Sequence, residues 1–176
     1  MPTHRTESEP IPVTPAGGKT LAWLFLLVVV LPLALSYAAA HLAGGARHAP
    51  DARLIPGITG AAFVVLAYCM RRFSLSLDGG RFRLRSSFYT IDIPLSDLAG
   101  GAQVLDLRER SPLRPRLRTN GFSVPGYKSG WYRGADGSRL FAAVTTDRVL
   151  YLPTRLGYGI LLSVQDAEAL QRRLAA

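Results

Sequence analysis

Six arginines in two alternating runs are the residues of this chain most plainly set up for chemistry. Arg81, Arg83 and Arg85 alternate with Phe82 and Leu84, so on a strand they share one face. Arg114, Arg116 and Arg118 alternate in the same way. A row of guanidinium groups offers forked donors to phosphate or carboxylate oxygens. Each run is therefore a candidate anion site for a lipid headgroup or a phosphorylated ligand. The same pattern also suits a solvated face lying against anionic lipid, each charge contributing about 1 kcal/mol near the surface. Trp131 and Tyr132 are candidate anchors for a partner, with a buried role for the tryptophan as the other reading.

The residues that usually run catalysis are missing from the second half of the chain. The three histidines are His4, His41 and His48, far from any nucleophile or carboxylate beyond residue 72. That removes the usual general base and the usual metal cluster. Cys69 is the single cysteine and sits in an apolar run, so neither an internal disulfide nor a zinc pair is available. Gly79-Gly80 and Gly134-Ala135-Asp136-Gly137 are not followed by a helix carrying Lys-Ser or Lys-Thr, which argues against a phosphate loop. The expectation is a non-enzyme with no catalytic residue, no metal, no cofactor and no evident small-molecule substrate.

The elements that must position these residues begin with two apolar runs. Thr20–Leu42 contains no Asp, Glu, Lys or Arg, and at about 1.5 Å per residue it spans a hydrocarbon layer of roughly 30 Å. Pro32 lies in its middle and predicts a kink. A cleaved signal peptide ending near Ala38-Ala39-Ala40 is the competing reading; the long leader with Glu7 and Glu9 and the length of the run argue against it. Leu54–Met70 is a second, shorter run, with Pro56 in its first turn. Gly57 and Ala61, and Ala34 and Ala38, are spaced to let the two helices approach closely. No Asp, Glu, Lys or Arg lies in either run, and His41 stands at the very end of the first, which disfavours an ion path.

The formal charge of +9 would suggest nucleic acid in a soluble protein. Beside two spans its commoner cause is the cytoplasmic excess of Lys and Arg, so nucleic acid is an unlikely partner. Arg71, Arg72, Arg81, Arg83 and Arg85 follow the second span, against Arg47 and Arg53 in the connecting loop. The positive-inside rule places both termini in the cytoplasm. The leader, with Pro2, Pro10, Pro12 and Pro15, reads as a disordered tail.

From Phe73 the apolar period changes from helix to strand. FSLSLDGGRFRLRS is a hairpin around Asp78-Gly79-Gly80. FYTIDIPL and GAQVLDLRER alternate again. Ser111 to Gly130, rich in Pro, Gly and Arg, reads mostly as loop. RLFAAVTT, RVLYLPT and YGILLSV are three further strands. In SVQDAEALQRRLAA, Ser163 is placed to cap a terminal helix with Asp166 three residues on, and Ala167, Leu170 and Leu174 form its apolar stripe.

The order of about seven strands and one final helix is the order of a pleckstrin-homology fold. Arg118-Thr119-Asn120-Gly121, Pro125-Gly126-Tyr127 and Gly130-Trp131, with the earlier IPLSDL of Ile93–Leu98, resemble the signature of a bacterial pleckstrin-homology-like domain family. Val164 departs from the proline often found before the last helix. The resemblance implies a binding domain beside one or two spans, with no common enzymatic activity. In many eukaryotic pleckstrin-homology domains, phosphoinositide phosphates are held on or near the hairpin that carries Arg81, Arg83 and Arg85 here.

The expected architecture is thus α+β, with residues 1–18 a disordered cytoplasmic tail and 19–72 a two-span transmembrane hairpin. Residues 73–176 form a cytoplasmic PH-like small β-barrel or split sheet closed by a C-terminal helix. The expected function is a membrane-anchored, non-enzymatic scaffold in the bacterial inner membrane that engages the lipid bilayer and another protein. The alternative is a sensor of anionic headgroups through its arginine-lined face.

Overall fold

The structure is a computed structural model and describes residues 9–42, 54–109 and 112–175. Two apolar helices, Gly18–Leu42 and Leu54–Arg71, are long and apolar enough to cross a membrane by length and composition. The first is widened into a π-helical turn at Leu26–Val30, just before Pro32. A proline has no amide for the preceding turn, and a local π adjustment is one way a helix absorbs that gap. Ser36 Oγ donates to Pro32 O at 2.7 Å. The two helices meet through Phe25 and Phe63, whose rings lie edge to face 5.4 Å apart. The spacing of Gly57 and Ala61 predicted close approach at small residues, but a Cβ built on Gly57 would meet nothing within 4 Å. The contact lies instead at larger side chains, among them Leu24, Val28, Phe63, Leu66 and Met70.

Beyond the helices lie two sheets. The first has the order β1 (Glu9–Ile11), β2 (Phe73–Asp78), β3 (Arg81–Ser86), β4 (Tyr89–Pro94), every neighbour antiparallel. Its inner face carries Leu75, Phe82, Leu84, Ile91 and Ile93, all buried. The second contains β5 (Gln103–Asp106), β6 (Leu117–Val124), β7 (Tyr127–Arg133), β8 (Arg139–Val144), β9 (Arg148–Pro153) and β10 (Gly159–Leu162), in the order β5-β9-β10-β8-β7-β6. β10 inserts between β8 and β9 and runs parallel to β8. A strand at that position is covered on both sides, which explains why GILL is apolar without alternation. Ile160 and Leu162 enter the core between the sheets with Phe141, Leu150 and Leu152. Leu161 faces a second cluster with Tyr132, Leu140, Val149 and Leu107.

The terminal helix, Ala167–Ala175, lays Ala167 and Leu170 on the core between the sheets. Its cap differs from the expected one. Asp166 Oδ1 accepts from Ala169 N at 2.8 Å, the geometry of an N-cap carboxylate. Ser163 is fully buried and its Oγ accepts instead from Thr145 N and Thr146 N. The two sheets are split, with no closed ring of strands among the described residues.

Two other expectations differ from the structure. The stretch read mostly as loop contains β6 and the first half of β7. The tail is ordered from Glu9, where β1 pairs with the outer edge of β2; residues 1–8 lie outside the described residues. Ile11 and Val13 alternate and pack on the core, and prolines are tolerated on an edge strand, where a missing donor can face away from the sheet.

Candidate functional site

The arginines of β3 do share one exposed face, because Phe82, Leu84 and Ser86 take the buried one. β4 places Asp92 directly opposite Arg83. Asp92 accepts from Arg81 Nε at 2.8 Å and from Arg83 Nη2 at 3.0 Å. These bonds, that from Arg81 first, hold the Asp92 carboxyl below its ordinary value of 3.8. Arg85 faces Ser74 and Thr90 across the sheet. Two of the three charges are thus shared with an acid, which weakens the row as an anion site.

The second run does not lie on one strand. β6 starts at Leu117 and is bulged between Arg118 and Asn120. Arg114 and Arg116 therefore precede the strand, where Pro115 supplies no amide to a ladder. Arg116 and Arg118 are exposed. Arg114 lines a cavity of about 160 Å³ with Gly126, Tyr127, Lys128, Thr145 and Asp147. Lys128 is half-buried there and donates to Pro115 O at 3.3 Å. Burial first, and then Arg114, push its pKa below 10.5. Asp147 on the same wall is bound by Arg108 at 2.7 Å. Sequence reading missed Lys128, which lies beyond the alternating arginines and reaches Arg114 only through the fold.

Trp131 and Tyr132 point to opposite faces of β7. Tyr132 is 2% exposed and its hydroxyl donates to Phe122 O at 3.1 Å, so it offers no surface to a partner. Trp131 packs edge to face on Phe141 and Tyr158, with the Arg139 guanidinium 4.3 Å from its ring centre. Its face is already occupied from within the chain.

The signature residues have structural work to do. Gly121 and Gly130 stand opposite each other on β6 and β7. The ring of Tyr89 lies 3.1 Å from where a Gly130 Cβ would be, and its hydroxyl donates to Asn120 Oδ1 at 2.9 Å. The glycine pair lets an aromatic from the first sheet lie on the second. Pro125-Gly126 turns β6 into β7, with Gly126 at φ +77°. That tip reaches the helices: Val124 and Tyr127 form one buried cluster with Leu24 and Met70. Tyr127 is further held by a hydrogen bond between its hydroxyl and that of Ser87.

A third feature is the seat of the leader. Ile11 sits opposite Leu75 and Glu9 opposite Leu77. Thr14 N donates to Ser163 O at 3.3 Å, Gln165 N to Pro12 O at 3.1 Å and Thr145 Oγ1 to Thr14 O at 2.8 Å. Extended chain thus lies in the gap between β2 and the end of β10.

The sequence profile described as Bacterial PH domain matches residues 73–176. The chain belongs to that family. No curated protein and no solved structure matches it. PH domains are generally non-catalytic modules that bind proteins or lipids. No group of three or more metal-type ligands occurs among the described residues. The perturbed groups found here are paired ions, the Asp136 carboxylate hydrogen-bonded by Ser138, a half-buried lysine and packed tyrosines.

Proposed function

We propose that this protein is a membrane-anchored, non-enzymatic PH-domain scaffold that engages a protein or peptide partner at the cytoplasmic face of a bacterial cell membrane. The observation that carries the reading is the seam between the helix pair and the β6–β7 tip. Leu24 and Met70 are 0% and 1% exposed against Val124 and Tyr127. A domain joined to its anchor only by chain would tumble; one packed against it presents a fixed surface at a fixed height. The excess of arginine after the second helix supports the cytoplasmic side. The pairing of Arg81 and Arg83 with Asp92 favours a protein partner over lipid as the main ligand.

Photo-crosslinking from surface positions of the PH domain in native membranes tests this. A reproducible protein adduct is expected. Adducts with lipid alone would overturn the reading, as would a reporter at Ala176 that reacts only from the external side.

A second reading, headgroup sensing, draws support from the cavity shared by Arg114 and Lys128. It adjoins Gly126, where an added Cβ would lie 2.8 Å from Thr20 Oγ1 in the first turn of the first helix. Equal binding to anionic and neutral bilayers, or binding unchanged by Lys128→Gln and Arg114→Gln, would remove it.

A further inference from the structure

The seat of the leader carries an inference about how such a partner binds, resting on the reading that the domain docks proteins. β2 has six residues, Phe73–Asp78, and among the described residues β1 pairs with Leu75, Ser76 and Leu77. From Glu9 onward the leader is held by few backbone bonds, and two of its residues, Pro10 and Pro12, have no amide to give. Its side chains are seated well: Ile11 is 9% exposed, and Val13 packs on the core and bridges to Val164. This combination, apolar anchors in place on a short ladder, is what a displaceable strand looks like.

We infer that the edge of β2, together with the gap beside Val164, is a strand-addition site for an extended partner segment, and that the chain's own leader is its built-in competitor. The leader shows the chemistry of the ligand: an extended segment with apolar side chains at alternate positions, matching Ile11 and Val13. A partner strand without the prolines would in addition pair with Phe73 and Ser74, which the described part of the leader leaves uncovered. The tether from Pro12 to Gly17 keeps the leader at an effective concentration of about millimolar, so an incoming segment must outlast that competition.

The probe is a synthetic peptide of residues 9–16, EPIPVTPA, carrying Pro10→Cys. The target is the full chain in lipid nanodiscs with Cys69→Ala and Ser76→Cys, since positions 10 and 76 are register partners. Disulfide trapping is compared between the native leader and a leader released by Ile11→Asp and Val13→Asp. Trapping on the released chain is expected, about tenfold or more slower on the native one, and lost when the peptide itself carries the two aspartates. Equal rates with either leader would overturn the inference, as would equal trapping of the apolar and acidic peptides, or no trapping on the released chain.

Hydrogen exchange on the unmodified chain gives a test independent of these variants. Thr14 N and Gln165 N, both bonded across the leader's seat, should exchange about tenfold or more faster than Ser163 N, which bonds Ala143 O inside the second sheet. Equal rates would mean that the leader leaves only on global unfolding, and the site would not exist as a switchable one. If the photo-crosslinked partner is captured equally with and without a Pro10→Cys/Ser76→Cys lock, the scaffold reading stands and this inference falls.

Discussion

Gly130→Ala tests whether the family signature is structural. Gly130 has φ +119°, and a Cβ there would lie 2.5 Å from Asn120 O and 2.6 Å from Gly121 Cα. Both obstacles are backbone, so no side chain can swing aside. A left-handed φ alone costs an L-residue roughly 1–2 kcal/mol. Forcing a methyl into a closed space adds roughly 1–3 kcal/mol, giving a total of roughly 2–5 kcal/mol, a large share of a typical domain's 5–15 kcal/mol. Gly137→Ala is the control: φ is +83° but a Cβ would meet nothing within 4 Å, so only the first cost applies. Urea unfolding in nanodiscs, followed by Trp131 fluorescence in a Trp23→Phe background, reads both. If the two alanines destabilise within about 0.5 kcal/mol of each other, the close approach of β6 and β7 is not what Gly130 is for.

Three further outcomes are expected. Asp92→Asn removes one negative charge beside Arg81 and Arg83 and should tighten binding to anionic vesicles by about fivefold at low salt, corresponding to about 1 kcal/mol for a charge at the surface; no change on vesicle sedimentation would mean that this face does not meet lipid. Because the folded Asp92 carboxyl lies below its ordinary 3.8, the stability it lends is complete above that value and is lost as pH falls through the lowered one. The stability gap between wild type and Asp92→Asn should therefore be level from neutral pH to about pH 5 and close in stronger acid. Val124→Asp should open the seam while leaving the sheets folded, speeding tryptic cleavage at Arg71 and Arg72 by about tenfold or more; unchanged cleavage would mean that the seam does not hold the domain.

Much of the first sheet was legible because β3 obeys a strict period of two, with apolar residues inside and arginine outside. The hairpin around Gly79-Gly80 was equally plain, both glycines having positive φ. β6 and β7 were hidden because their decisive contacts are between glycines, which carry no hydrophobic signal, and because β6 is an edge strand whose first half is exposed. β1 was hidden by its prolines: Ile11 and Val13 alternate, but their partner, β2, lies beyond both helices. The arginine face was readable, whereas its neutralisation by Asp92 needed the β3–β4 register. Lys128 and Arg114 meet only because β7 passes beside the loop that precedes β6. Tyr132, offered by its type as an anchor, is buried because Trp131 takes the other face.

β1 runs into the first helix from its carboxyl end, and β2 leaves the second helix at its amino end. Ile11 opposite Leu75 is the pair nearest to both helices. The two rods therefore spring from one end of the same ladder. Drawn apart, they would first load the bonds that tie Thr14 to Ser163 and Thr145, which lie between Ile11 and the first helix, and only then the rungs of the ladder, one at a time. Separation of the two helices would therefore unseat the leader before it strained the rest of either sheet.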